Sequence, residues 1–179
     1  MRWIVLALIP CGAWLTACSP AFNWREVPLD GAPLRILLPC KPDRASRSLE
    51  MAGESVELTM TGCDAGGATF AASQVRLGAG ASAGAALAQW RTAVLANMRA
   101  RDIRELPFHP AGSLDLPQSV RLSAVGQRAD GSAVTSRAAW FASASKDGLW
   151  IFHAVIYAPA ITPEAEVAFF DGLKLQGAP

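Results

Sequence analysis

Histidine is nearly missing from this chain, and with it most of the spacing that marks metal or redox chemistry. Two histidines, His109 and His153, and four cysteines stand among 179 residues. A structural zinc site takes four Cys or His ligands at short spacings, and a dithiol redox pair takes the close spacing of Cys-x-x-Cys. Neither pattern occurs, so neither a metal nor a cofactor is expected. Net charge is lacking too. The basic and acidic side chains number 16 and 15, whereas a nucleic-acid binder carries a basic footprint. A membrane-spanning stretch is also absent, since crossing a hydrocarbon core takes roughly 20 apolar residues and the apolar leader run covers only residues 3–15, interrupted by Pro10 and Gly12.

What is present begins with that leader. Arg2, the apolar run and the small residues before Cys18 form the charged, apolar and cleavable regions of a secretory signal. Leu15-Thr16-Ala17-Cys18 matches the box that closes the leader of bacterial lipoproteins, and the chain resembles that family here. The resemblance implies cleavage before Cys18, a diacylglyceryl group on its sulfur and acylation of its amine. Several acyl chains anchor stably where a single one binds only marginally. Cys11 is a poor alternative because Pro10 would precede the cut. Ser19 stands where the family's inner-membrane retention signal would be Asp, so the implied address is the periplasmic face of the outer membrane. The expected divisions are a signal peptide over residues 1–17, a lipidated tether over 18–33 and a single domain over 34–176.

With the leader removed, Cys40 and Cys63 remain as thiols in an oxidising compartment, which favours a disulfide between them. Closing such a loop stabilises by about 3.4 kcal/mol in the chain-entropy description. Both are expected just beyond strand ends, pinning one edge of one sheet. The mature chain is formally neutral before His, and its only basic cluster is Arg99, Arg101 and Arg104. A helix C-terminus attracts cations through its dipole, which accounts for the cluster without an anion site.

Hydrophobic periodicity supplies the elements. Pro28, Gly31 and Pro33 oppose regular structure over 22–33. Residues 34–38 form a short strand ended by Pro39. Runs 46–51 and 54–61 flank Ala52-Gly53, and in the second run Val56, Leu58 and Met60 alternate with polar residues, the mark of one buried and one wet face. Residues 68–77 suit a more central strand. A helix over 82–100 places Ala83, Leu87, Trp90, Val94 and Met98 on one stripe. Residues 103–108 make a brief strand. Runs 119–129, 132–143 and 149–157 are joined at Asp130-Gly131 and near Asp147-Gly148, a strong hairpin signal. The last run is apolar on both faces and belongs centrally. Thr162-Pro163-Glu164 opens a second helix with a capping residue, proline in the first turn and acid at the positive dipole end, and Gly172 stops it. Hairpin strands separated by two helices predict an α+β domain with helices packed on an antiparallel sheet.

The opening strand Leu34-Arg-Ile-Leu-Leu-Pro39, one central helix, a hairpin-rich second half and the closing Val167-Ala-Phe-Phe-Asp-Gly-Leu-Lys-Leu175 resemble the PsbP-like superfamily, which includes DcrB-like envelope lipoproteins. Leu38-Pro-Cys-Lys-Pro-Asp43 with Gly62-Cys-Asp-Ala-Gly-Gly67 is similar to uncharacterised lipoproteins of proteobacteria. The resemblance implies a fold and a habit of binding other proteins rather than an enzymatic activity, and it transfers no binding residue.

Chemistry-bearing residues have structural explanations. His153 sits in the most apolar strand, as a hydrogen-bonded core residue does. Glu54 and Glu57 lie on the wet side of a hairpin, and Asp130 and Asp147 serve turns. Trp90, Trp140 and Trp150 are core residues before they are platforms for a sugar or aromatic ring. Gly78-x-Gly80-x-x-x-Gly84 superficially matches a dinucleotide loop, yet no parallel strand with a ribose-binding acid follows, so it reads as an Ala/Gly linker. No residue is assigned a catalytic role. Two functions follow as expectations: a noncatalytic module that binds an envelope protein or assists envelope assembly, or a receptor or carrier for a small apolar or lipid-like molecule held between sheet and helices.

Overall fold

The computed structural model describes residues 22–78, 80–146 and 148–176. The leader, Cys11, the lipidation residue Cys18 and the turn residue Asp147 lie outside the described residues. Strand makes up 53% of what is described and helix 16%. The α+β expectation is thereby overturned: the fold is dominated by β-structure, with two helices only among the described residues. The cause is strand length. Individual strands run to 12 and 13 residues, beyond the stretches their alternation marks, and one whole strand forms where Pro and Gly argued for none.

Strands β3 (Asp43–Met51), β4 (Glu54–Ala65) and β5 (Ala68–Leu77) descend as a meander, and helix α1 (Ala83–Asn97) carries the chain across the sheet to β6 (Arg101–Pro107). Strands β7 (Val120–Gln127), β8 (Ala133–Ser145) and β9 (Gly148–Ala158) then return, seating β9 against β5. The order is β3-β4-β5-β9-β8-β7-β6, and every neighbouring pair is antiparallel. β9 is therefore interior and buried on both faces, which is why its sequence is continuously apolar. At the β7–β8 turn Gly131 takes φ +84°, and the Asp130 carboxylate accepts hydrogen bonds from the Ser132 amide and hydroxyl, which also hold its pKa below the usual range.

A second, three-stranded sheet covers one face. It consists of β1 (Arg25–Pro28), β2 (Leu34–Leu38) and β10 (Lys174–Leu175), with β2 in the middle. Beside it lies α2 (Pro163–Asp171), capped by Thr162, whose hydroxyl accepts from the Ala165 amide. Leu34, Ile36 and Leu38 alternate inward to meet Phe70, Phe141, Phe152 and Phe169. β1 lies within the stretch expected to be a tether, and the packed body reaches back to Phe22, whose ring packs 5.9 Å from that of Phe70. α1 covers part of the opposite face, with Ala83, Ala86, Leu87 and Trp90 buried.

Cys40 and Cys63 are joined by a disulfide, their Cα atoms 6.0 Å apart. Its placement differs from the expectation. β4 runs on through Ala65 and contains Cys63, whereas Cys40 follows β2. The bridge therefore ties the small sheet to the large one instead of pinning one edge. The arginine cluster is corrected as well. Arg101 and Arg104 belong to the exposed edge strand β6, so the helix dipole accounts at most for Arg99, which follows the end of α1 and donates to Gln127.

Candidate functional site

α1 is narrower than the sheet, and the consequences can be followed along β4. Val56 and Leu58 are buried on the α1 side, but Met60, next on that face, is 43% exposed. The alternation that predicted all three as core holds only as far as the helix reaches. Beyond it, burial on β4 switches to Thr61 and Cys63, which face the small sheet.

The uncovered area is a groove of about 410 Å³. Leu58, Met60, Ala71 and Val155 form its floor, and Trp90 and Val94 of α1 its wall. One row of register partners crosses it: Ala45 on β3, Met60 on β4, Ser73 on β5 and His153 on β9, continuing to Trp140 on β8. His153 closes the inner end. Its ring stacks on Trp140 at 4.4 Å and meets the edge of Trp90 at 5.5 Å. Burial pushes its pKa down to about 3, because a charged imidazole would lose its hydration there without a compensating partner. The imidazole is accordingly neutral. Its Nε2 has no hydrogen-bond partner among the described residues, and neither does Nε1 of Trp140. His153 is thus a core residue as expected, but not a hydrogen-bonded one. Tyr157, at the far side of the groove, has its pKa raised by burial.

Chemically, this is an apolar trough with a few polar groups. Pockets of roughly 300–1,000 Å³ with such a lining are typical small-molecule sites. A larger depression of about 660 Å³ lies around Glu54, Arg76, Gly78 and Gly80, and several of its lining residues adjoin in sequence positions outside the described residues.

The remaining residues singled out from sequence are dispersed. Trp90, Trp140 and Trp150 are all buried, as predicted. His109 lies in a loop, 3.7 Å from the fully exposed Asp115. Glu54 pairs in register with Met51 and Glu57 with Ser48, which puts the two carboxylates on opposite faces of the pleat. Glu54 accepts a hydrogen bond from the Gly78 amide. All sheet pairings in the described residues are antiparallel, so Gly78 to Gly84 does not open the parallel unit of a dinucleotide fold.

That segment nevertheless holds a sequence signal that the linker expectation passes over. Gly80-Ala81-Ser82-Ala83-Gly84 has the Gly-x-Ser-x-Gly spacing of a nucleophile elbow and lies between a strand and a helix. The geometry is that of a helix cap. Ser82 is extended, with φ −89°, and its hydroxyl accepts from the Ala85 amide. His153 is buried under Trp90 rather than hydrogen-bonded to it. Arg47, Met60 and Ser73, which shape the groove, carry no individual signal in the sequence, because only the stacking of distant strands brings them together.

No family model matches the chain, and no curated protein matches it.

Proposed function

We propose that this chain is a noncatalytic binding protein, tethered through acylated Cys18 at the periplasmic face of the outer membrane, that receives a small, largely apolar ligand in the groove beside α1. The groove itself carries this reading: an apolar trough of about 410 Å³ ending on a buried, neutral imidazole whose Nε2 has no partner among the described residues. Tight core packing leaves few voids larger than a water molecule, and buried polar atoms normally find partners. A ligand that lies over Met60 supplies the apolar cover that α1 leaves off. The alternative of a protein-binding assembly module draws less support. The edge strand β6 exposes Ile103 and Leu106, but it is charged, irregular in register and ended by Pro107, features that blunt strand addition.

The test uses the mature chain from residue 18 carrying Cys18→Ser, which lacks both the apolar leader and the acyl groups and so stays in detergent-free solution, and the fluorescent apolar probe 1-N-phenylnaphthylamine. Saturable one-to-one binding that is weakened at least tenfold by Val94→Trp, which fills the trough from its helical wall, is the expected result. Binding that does not saturate, or is indifferent to Val94→Trp, overturns the groove reading. Native mass spectrometry of the wild-type protein from its own membranes tests the rest. Acyl groups on Cys18 are expected there, and a bound protein in place of a small ligand would favour the assembly module.

A further inference from the structure

Arg47 stands at the outer rim of the groove on β3 and is the only formally charged residue in its lining, since His153 is neutral. Of the twelve described arginines, Arg35, Arg44, Arg91, Arg121 and Arg137 have a carboxylate within 4.0 Å, and Arg47 is one of the seven that have none among the described residues. Its surroundings explain why. On the same face of the hairpin its neighbours are Ala45 and Leu49 on β3 and Leu58 and Met60 on β4, all apolar. A lone cation on an apolar surface, with no carboxylate lining the groove, selects a ligand carrying one negative charge. The spacing adds shape. β3 and β9 are separated by three strand intervals, about 14 Å at the usual strand spacing, so a ligand running from Arg47 to His153 is elongated and lies across the strands.

We propose that the ligand is a single-chain anionic amphiphile, its acidic head on Arg47 and its apolar body laid over Leu58, Met60 and Ala71 toward His153. This rests on the groove being the binding site. A cationic or zwitterionic chain finds no carboxylate for its positive group, and a neutral chain leaves Arg47 without a counter-charge.

The experiment is displacement of 1-N-phenylnaphthylamine from the same leader-free Cys18→Ser chain by three probes of equal chain length: dodecanoate, dodecanol and dodecyltrimethylammonium, each kept below its micellar concentration. An exposed charge pair makes a difference of about fivefold at most. Dodecanoate is therefore expected to displace the dye at a several-fold lower concentration than the other two, with an advantage that shrinks as salt screens the pair. Arg47→Gln should bring dodecanoate to the level of dodecanol without changing dodecanol itself. Arg47→Glu should reverse the preference toward dodecyltrimethylammonium. Arg47 is exposed, and unchanged circular dichroism and thermal midpoint serve as the folding control. Equal displacement by all three probes, or a dodecanoate preference that survives Arg47→Gln, overturns the anionic head while leaving the groove in place. Failure of the dye to bind saturably removes the groove, and this proposal falls with it.

Discussion

Replacing His153 by Phe should remove a specific part of this protein's acid sensitivity. The imidazole titrates near 6.5 when exposed, and burial lowers it to about 3 in the folded chain. Between those values the unfolded state binds a proton that the folded state refuses, so stability rises with pH across that window. The contribution is intact above about pH 6.5 and is lost as the pH falls toward 3. Over the interval from pH 7 to pH 5 the loss amounts to about 2 kcal/mol, from 1.36 kcal/mol per pH unit of protonation difference. Phe keeps the stack on Trp140 and brings no polar atom of its own into the core. The assay is urea unfolding of wild type and His153→Phe at pH 7, 6 and 5, with the difference between the two curves isolating His153 from the carboxylates. The wild-type free energy should fall by about 2 kcal/mol more than that of the variant. Parallel pH dependences would refute the reasoning and show that the imidazole accepts its proton in the folded state.

Other perturbations follow from the packing. Changing Cys40 and Cys63 together to Ala should cost about 3 kcal/mol, read as a lower urea midpoint, because the bridge joins two sheets that otherwise meet through side chains alone. Glu166 binds both Arg121 and Arg137 and is 22% exposed, so Glu166→Gln should destabilise by about 1–2 kcal/mol, less than a fully buried pair would lose. A double-mutant cycle with Arg137→Met measures the coupling. A Cβ at Gly126 would run into the backbone carbonyl of Met98 at the end of α1. Gly126→Ala should therefore lower the thermal midpoint by an amount equivalent to about 1–3 kcal/mol, with the loss of packing concentrated where α1 meets β7.

Most elements are local statements, and their positions were legible in the sequence for that reason. Ser82 and Thr162 cap the two helices where capping residues precede apolar stripes. Asp130-Gly131 turns the β7–β8 hairpin because both positions suit a tight reversal, and the continuous apolarity of β9 located it inside the sheet. The pairing of Cys40 with Cys63 was also expected from the sequence, because the lipoprotein resemblance leaves them no other thiol partner, and the structure joins them. The balance between strand and helix was not legible. It depends on how far each strand continues past its periodic centre, and that is decided by the neighbour it pairs with. β1 shows the same limit: Arg25–Pro28 is extended because the edge of β2 offers it hydrogen bonds, an opportunity that its own residues do not announce. The groove belongs wholly to the tertiary structure. Met60 continues the alternation of Val56 and Leu58 and reads as core, yet it is open because α1 ends its cover before reaching it. Arg47, Met60, Ser73 and His153 come from four strands far apart in sequence. Periodicity can say which face a side chain takes, but only the packed helix decides how much of that face is left for a ligand.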